Sequence, residues 1–272
     1  MARRELIFRH ALVVRVTHWI NLLCMTVLLA SGLQIFNAHP ALYWGSGSDF
    51  GQPVLALDAV QQGDDLKGVT RILGASFDTT GWLGTSEEDG EATARGFPAW
   101  ITVPSYQDLA TGRRWHFFFA WLFVVNGAVY VLSGLLRGHF RRDLVPSGGQ
   151  LRHIGATIRD HLMLRFPKGE EARHYNVLQK LTYLGVIFLV VPILILAGLA
   201  MSPGIDSLFP WLPEAFGGRQ SARTIHFICA WTIVLFVVVH VVMVLLSGVF
   251  NNLRSMITGR YAIEPPARSA EP

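Results

Sequence analysis

The sequence predicts an all-α integral membrane protein: a four-helix transmembrane bundle with a periplasmic insertion between helices 1 and 2. Two compositional observations carry this prediction. Only 15% of the 272 residues are charged, against roughly 25% in an ordinary soluble domain, and 51% are hydrophobic. The hydrophobic residues also concentrate in four runs that contain no Lys, Arg, Asp or Glu: 16–36, 115–136, 181–201 and 225–246.

Each run is long enough to cross a bilayer, because a helix rises about 1.5 Å per residue and the hydrocarbon layer is ~30 Å thick. The first run contains Thr17 and Asn21 and has no small-residue cleavage site after it. It is therefore predicted to remain in the mature protein, unlike a cleavable signal peptide. The sequence has no C-x-x-C-H motif, which excludes covalently attached c-type haem.

The distribution of charge predicts the orientation in a bacterial inner membrane. Basic residues predominate in the N-terminal segment 1–15 and in the loop 137–180, which holds nine basic residues and four acidic ones. The segment 37–114 holds ten acidic and five basic residues. The positive-inside rule therefore predicts a periplasmic cap at 37–114, a periplasmic loop at 202–224 and a cytoplasmic tail at 247–272, with both termini cytoplasmic. Basic residues beside helix ends indicate membrane lipid as the partner and no nucleic acid.

Four of the ten histidines lie within the apolar runs, where an ionisable side chain is costly and marks a functional candidate. His226 and His240 are 14 residues apart. This is about 3.9 helical turns, so both lie on one face of the fourth helix, about 21 Å apart along its axis. That distance is too great for one metal ion, so the two histidines must belong to different centres.

The direction of each helix assigns the partners. Helix one runs outward, so His18 lies at the inner level with His240. Helix two runs inward, so His116 lies at the outer level with His226. Two imidazoles that face each other across a bundle are the ligands of a six-coordinate b-type haem. The sequence therefore predicts two haem b groups, one on each pair.

Other functions could use the same histidines. A proton relay in a transporter would need carboxylates in the membrane, and the four runs contain none. A single zinc or copper site would need the histidines at one depth, but they occupy two. A passive anchor without haem is a further alternative, and colourless purified protein would favour it.

An arginine stands three residues before three of these histidines, at Arg15, Arg113 and Arg223. Because an i, i+3 pair shares a helix face, these arginines and the adjacent Arg114 are candidate partners of haem propionates. Arg113, Arg114 and Arg223 lie at outer helix ends, where basic residues are disfavoured. Arg15 is also compatible with simply marking the end of a membrane span.

Glycines supply a further pattern. Gly32 lies 14 residues after His18, and Gly127 and Gly134 lie 11 and 18 residues after His116. Each returns to the face of the histidine on its own helix, near the level of the other haem. A glycine there would let the macrocycle pass close to the backbone. Small-residue packing between helices is the alternative.

Three segments that carry these residues resemble a known family: 15–19 (RVTHW), 31–36 (SGLQIF) and 114–117 (RWHF). Together with the His226/His240 pair, they are similar to the bacterial di-haem cytochrome b superfamily, which includes formate dehydrogenase gamma subunits, nickel-hydrogenase cytochrome b and cytochrome b561. The segment 36–45 (FNAHPALYWG) looks most like thiosulfate-reductase-type cytochrome b subunits. The resemblance covers nearly the whole chain.

The resemblance implies a quinone site beside the inner haem. The segment 175–180 (YNVLQK) is similar to the one that opens helix three in formate dehydrogenase gamma subunits, where its Asn helps to bind the quinone. Tyr175, Asn176 and Gln179 are therefore candidate quinone residues. Alternatively, Asn176 caps helix three.

The function expected from these observations is that of an electron-transfer subunit of an oxidoreductase complex, working between the quinone pool and a periplasmic partner. The resemblance implies a molybdopterin oxidoreductase as that partner, reached directly or through an iron–sulfur or c-type haem protein. A long structureless loop is unusual, so residues 37–114 are expected to form a folded cap that helps to dock it. The rival is a stand-alone cytochrome b561-type superoxide:quinone oxidoreductase, whose activity should survive deletion of part of residues 45–95.

Overall fold

A computed structural model describes residues 5–88, 90–163 and 176–263 of the chain. Within these ranges, four helices are long and apolar enough to span a membrane. This confirms the four predicted spanning helices. The first two are α1 (Leu12–Asn37) and α2 (Leu109–Leu136), and after α2 the chain forms a π-helical turn (Phe140–Leu144), α3 (Gly148–Arg152) and α4 (Ile154–Leu162).

The third spanning helix, Val177–Ala200, consists of α5 (Val177–Gly185), a π-helical turn (Val186–Val190) and α6 (Val191–Ala200). The π turn ends two residues before Pro192, which has no N–H to donate and whose ring crowds the preceding turn. Two short helices and the fourth spanning helix follow, and a last amphipathic helix ends the helical part: α7 (Pro203–Leu208), α8 (Trp211–Ala215), α9 (Arg219–Leu246) and α10 (Val249–Thr258).

The helices begin earlier than the apolar runs, at residues 12, 109, 177 and 219. At α2 and α5 a capping side chain satisfies free N–H groups of the first turn. At α2, for example, Thr111 N donates to Asp108 Oδ1 at 3.0 Å and Thr111 Oγ1 donates to Asp108 Oδ2 at 2.7 Å. Hydropathy therefore marks the apolar part of each helix and not its first residue.

The all-α prediction holds for the spanning helices but is wrong for the segment between α1 and α2 and for the two ends of the described chain, which contain β structure. The strands are β1 (Glu5–Phe8), β2 (Ala41–Leu42), β3 (Leu55–Gln62), β4 (Asp65–Ile72), β5 (Ala75–Asp78), β6 (Thr85–Glu88), β7 (Glu91–Ala94) and β8 (Arg260–Ile263). An antiparallel sheet has the order β2-β3-β4-β5, β6 pairs with β7, and β1 pairs with β8. These strands were missed because they alternate weakly: all four residues of β5, for instance, are exposed.

The chain divides into two compact units. The terminal unit comprises residues 1–20, 126–191 and 232–272, and the insertion unit comprises residues 21–125 and 192–231. In the insertion unit, a hydrophobic core joins the end of α1 to the sheet through Leu33, Phe36, Leu42, Leu57 and Phe97. In the terminal unit, Asn251 on α10 bonds the backbone of Ala262 in both directions and so fixes β8.

Candidate metal centres

One histidine pair lies in the terminal unit. His18 on α1 and His240 on α9 have ring centroids 6.3 Å apart and ring planes inclined by 63°. His18 lies edge-on to Trp19 at 5.6 Å, and His240 is stacked on Phe236 at 5.9 Å. The two side chains that helix direction paired are therefore adjacent in the fold.

The second pair lies in the insertion unit. His116 on α2 and His226 on α9 also have ring centroids 6.3 Å apart, with ring planes inclined by 64°. The structure thus brings together both pairs that the sequence predicted, with almost the same geometry in two different units.

A haem iron with two imidazole ligands fits this separation. With metal–nitrogen bonds of about 2.0 Å and roughly 1.1 Å from ring nitrogen to ring centre, ligands on opposite sides of one iron have centroids about 6 Å apart. Within residues 5–88, 90–163 and 176–263, no three His, Cys, Asp or Glu side chains cluster as a metal site. The donor set therefore suits a haem that supplies its own equatorial nitrogens, and it does not suit a tetrahedral zinc or copper site.

Hydrogen bonds orient both rings of the insertion-unit pair. The hydroxyl hydrogen of Ser31 is used in a 2.6 Å bond to a main-chain carbonyl one turn earlier, so Ser31 accepts from His116 Nδ1 at 3.2 Å. The carbonyl of Leu28 is a further acceptor for the His116 ring. His226 Nδ1 donates to the carbonyl of Leu194 at 2.8 Å. In both rings Nδ1 holds the proton, which leaves the lone pair of Nε2 for a metal.

Two glycines make room for the same rings. A Cβ added to Gly32 would lie 3.4 Å from His116 Cε1, and one added to Gly198 would lie 3.1 Å from His226 Cε1. A side chain at either position would press on an imidazole, and Gly198 leaves less space. The close approach that was predicted for Gly32 is therefore an approach to the imidazole of His116.

The two glycines on α2 differ. A Cβ on Gly127 would meet nothing within 4 Å, whereas one on Gly134 would lie 2.5 Å from the ring of Phe140. At Gly134 the structure shows close packing of an aromatic side chain from the turn after α2, and the role of this glycine beside a haem stays a prediction. Gly127 keeps an open face, and its role beside a haem stays a prediction.

Two of the predicted propionate partners are partly buried arginines that bond main-chain carbonyls. Arg15 Nη1 donates to the carbonyl of Ile257, and Arg223 Nη2 donates to the carbonyl of His39. The buried Nε of Arg15 has no hydrogen-bond partner among the described residues. A buried N–H of this kind is costly unless a ligand accepts it. This orphaned donor fits an acidic group of a bound haem near His18.

The other two predicted propionate partners, Arg113 and Arg114, are exposed. The guanidinium carbon of Arg113 lies 5.3 Å from the ring centroid of Phe117, and Arg114 Nη2 donates to Thr111 Oγ1 at 3.4 Å. Neither contact is strong, so both side chains are free to be recruited by an anion. Their role toward propionates stays a prediction.

The predicted quinone residues lie at the start of the third spanning helix. Tyr175 lies outside the described residues. Gln179 N donates to Asn176 Oδ1 at 2.9 Å, and Asn176 N donates to Gln179 Oε1 at 3.3 Å. This reciprocal capping box gives both side chains a structural role. Their role toward quinone stays a prediction.

Titratable residues that sequence reasoning passed over lie in the terminal unit. His139 Nδ1 and Asp143 Oδ2 are 2.6 Å apart at the π-helical turn after α2, and this turn packs against α5. Burial, together with the positive charge of Arg9, lowers the pKa of His10 to about 4, and His18 and His139 contribute further. His139 and Asp143 are an i, i+4 pair and Arg9 adjoins His10 in sequence, whereas only assembly of the fold brings His10 near His139.

Ser31 and Gly198 were also missed as supports of the insertion-unit pair. Ser31 stands directly before Gly32, inside a segment that the resemblance had already singled out. Gly198 lies in the small-residue stretch 197–200 (AGLA), which is a signal for close helix packing but not for a histidine.

The chain matches the family model described as prokaryotic cytochrome b561 over residues 9–259. It is 28% identical over 256 residues to a protein of Azospira oryzae described as "Putative protein-methionine-sulfoxide reductase subunit YedZ1", and the match covers 94% of this chain and 98% of that protein. No solved structure matches the chain. The family match confirms the predicted superfamily, and the four helices make the protein an integral membrane protein. The chain therefore belongs to the prokaryotic cytochrome b561 family of membrane electron-transfer proteins that bind haem b.

Proposed function

We propose that the protein is a membrane subunit that holds two haem b groups and transfers electrons between the quinone pool and a periplasmic oxidoreductase. The observation that carries this proposal is the pair of matched histidine sites, each with ring centroids 6.3 Å apart and each in a different compact unit. Both sites use α9, on which His226 and His240 lie about 21 Å apart along the axis. One chain thus supplies ligands near each membrane surface.

The polypeptide contributes ligation, orientation and charge. His18 with His240 and His116 with His226 would supply the nitrogen ligands of the two irons, and the orphaned Nε of Arg15 would offer a donor to a propionate. When bound, each haem supplies a one-electron redox centre whose potential depends on axial ligands, hydrogen bonding and burial.

The predicted orientation is supported by the division into units. The terminal unit collects the N-terminal segment, the basic loop after α2 and the C-terminal tail, all of which the charge pattern assigns to the cytoplasm. The insertion unit collects the two segments assigned to the periplasm. We infer an inner-membrane protein with both termini cytoplasmic and with its β-sheet insertion on the periplasmic side.

The partner is proposed to be a periplasmic oxidoreductase. The Azospira relative is named as a putative subunit of a protein-methionine-sulfoxide reductase, and it matches this chain along nearly its whole length. This favours an electron-transfer subunit over the stand-alone superoxide:quinone enzyme. The resemblance noted from the sequence adds a molybdopterin cofactor in the partner, which receives or delivers electrons directly or through an iron–sulfur or c-type haem protein.

The primary experiment measures the haem content and then tests whether quinol reduces the haems. We expect a pyridine haemochrome assay of purified chain to give two haem b per polypeptide. We also expect a reduced quinone analogue to reduce both in proteoliposomes. One haem per chain would overturn the two-centre proposal. Two haems that dithionite reduces but quinol does not would overturn the quinone proposal alone.

Variants of Asn176 separate a quinone role from a capping role. Asn176→Ala removes the cap and the amide, whereas Asn176→Ser keeps a good N-cap and removes only the amide. If the amide binds quinone, both variants slow reduction by quinol several-fold while haem content is unchanged. Ser147→Ala is the matched control, because Ser147 forms the same capping box with Gln150 on α3. Normal quinol kinetics in Asn176→Ser would remove the amide from the site.

A further inference from the structure

A stretch of the insertion unit without charge follows the last hydrogen-bonded hairpin. Residues 97–104 read FPAWITVP and include a short 3₁₀ turn at Ala99–Ile101. We call this stretch the apolar turn. Phe97 is only 5% exposed and belongs to the unit's core, whereas Trp100 is 81% exposed. The turn therefore has one face against the protein and one large aromatic side chain directed away from it.

Hydrogen bonds show how far the apolar turn descends along α1. It begins at the end of that helix, where Phe97 N donates to Asn37 Oδ1 at 2.7 Å. Val103 N then donates to the carbonyl of Ala30 at 3.2 Å, and just after the turn Gln34 Nε2 donates to the carbonyl of Tyr106 at 2.9 Å. The chain thus runs down α1 and back. Ala30 precedes Asn37 by seven residues, which is about 10 Å along the helix axis.

A second spanning helix contacts the Phe97 end of the turn. The ring of Phe97 lies 6.4 Å from that of Trp231 on α9. Trp231 is five residues farther along α9 than His226, about 7 Å deeper into the apolar run that begins at residue 225. The Phe97 end of the turn therefore packs against the apolar run of α9, and the Val103 end bonds α1 at Ala30, next to Ser31, which contacts His116. Both ends of the turn lie against the apolar parts of spanning helices.

The backbone of the turn suits a medium with few hydrogen-bonding partners. Pro98 and Pro104 have no N–H group. Ile101 N donates to the carbonyl of Pro98 at 3.3 Å, Thr102 N donates to that of Ala99 at 3.2 Å, and Val103 N bonds α1. Irregular backbone is tolerated at membrane depth only when its polar groups are satisfied within the protein. The apolar turn largely meets this condition.

We propose that the apolar turn is a re-entrant element inserted into the outer part of the bilayer, with the indole of Trp100 in contact with lipid. The occupant of this face is lipid because the turn carries no charge and lies beside the apolar part of α1, where Val103 N bonds the carbonyl of Ala30. Aromatic side chains of this kind are enriched where acyl chains meet headgroups. The insertion is thereby anchored to the membrane by its own chain, independently of any electron-transfer partner.

The test compares spin labels at Trp100→Cys and Trp82→Cys in the full-length protein, reconstituted alone in phosphatidylcholine nanodiscs. Trp82 is the matched control, because it is 77% exposed on a turn between β5 and β6. Cys24 and Cys229 are replaced by alanine in this background. We expect the ratio of oxygen to nickel-chelate accessibility to be several-fold higher at position 100 than at position 82. Equal ratios would overturn the proposal, and so would a label at 100 that neither reagent reaches.

A second measurement leaves both cysteines in place. In vesicles that contain dibrominated phosphatidylcholine, Trp100→Phe should lower the fraction of tryptophan emission that bromine quenches, whereas Trp82→Phe should raise it. Haem content, read from the Soret band, confirms that each variant has folded. An unchanged quenched fraction in Trp100→Phe would show that the indole does not contact lipid. Neither result depends on quinone or on the partner.

Discussion

The two histidine pairs share one ring separation but have different surroundings. In the insertion unit, His116 and His226 are each tied through Nδ1 to an acceptor on a neighbouring helix. In the terminal unit, His18 and His240 instead lie against the rings of Trp19 and Phe236. Within the described residues, no comparable hydrogen bond reaches either of those rings. Helix spacing therefore sets where the histidines meet, while the neighbouring helices decide how each imidazole is held.

This difference predicts that the two haems have unequal reduction potentials. A bond from Nδ1–H to a hydroxyl or carbonyl oxygen raises the basicity of the ligand and fixes its orientation. A more basic imidazole stabilises the oxidised iron, so the insertion-unit haem is expected to have the lower potential of the two when burial and propionate contacts are comparable. Substitutions can show whether the two sites bind haem independently and which neighbouring residues hold each histidine in place.

The largest expected effect is the loss of one haem from each single-ligand variant. His226→Ala and His240→Ala should each reduce the pyridine haemochrome from two haems per chain to one, and the double variant should bind none. His153→Ala is the control, because His153 is exposed and lies outside the spanning helices. Retention of both haems in either single variant would contradict the pairing. Loss of both haems from one substitution would show that the two sites do not fold independently.

The sequence predicted the histidine pairs because helix periodicity and membrane direction are both one-dimensional properties. A 14-residue step on α9 fixes a shared face whatever surrounds it. The residues that support the histidines were harder to predict from the sequence. Ser31 and Gly198 act on histidines of other helices, and the contacts between them depend on how the helices pack.

The insertion shows the same limit on a larger scale. A folded cap was expected from its length, but its sheet was not, because the strands carry little alternation and β2 is only two residues long. The apolar turn was visible in the sequence as Phe97-Pro98-Ala99-Trp100, yet only the hydrogen bond from Val103 to Ala30 shows its depth along α1.

Removing the hydroxyl of Ser31 should weaken the insertion-unit haem selectively. Ser31→Ala deletes an acceptor for His116 Nδ1, and supports of this kind typically change metal-site affinity by about 10–100-fold. We expect faster loss of one haem to apomyoglobin and a shifted potential for that haem alone. Thr26→Ala is the matched control, since Thr26 makes the same type of bond to a carbonyl four residues earlier on α1 without touching a histidine. Equal effects of the two substitutions would mean that only the helix had been perturbed.

Adding a methyl group beside a ligand should change ring orientation without removing haem. Gly198→Ala places a Cβ 3.1 Å from His226 Cε1, and Gly32→Ala places one 3.4 Å from His116 Cε1. The tighter contact should cause the larger change in the low-spin electron paramagnetic resonance signal of one haem. Gly185→Ala on the same third helix meets nothing within 4 Å and serves as the control. A signal that changes equally in all three variants would remove the glycines from the description of the site.

The smallest effect concerns acid sensitivity of the terminal unit through His10. Its ordinary pKa of 6.5 is lowered to about 4 in the fold, chiefly by burial and next by the charge of Arg9. The unfolded chain therefore binds more protons than the folded chain between these values, so stability falls as the pH drops from 6.5 toward 4 and is unaffected above 6.5. Thermal unfolding followed at pH 7.5, 6.5, 5.5 and 4.5 should show a shallower acid decline for His10→Gln than for the exposed-site variant His153→Gln. Parallel curves for these two variants would mean that the neutral imidazole of His10 does not contribute to the stability of the terminal unit.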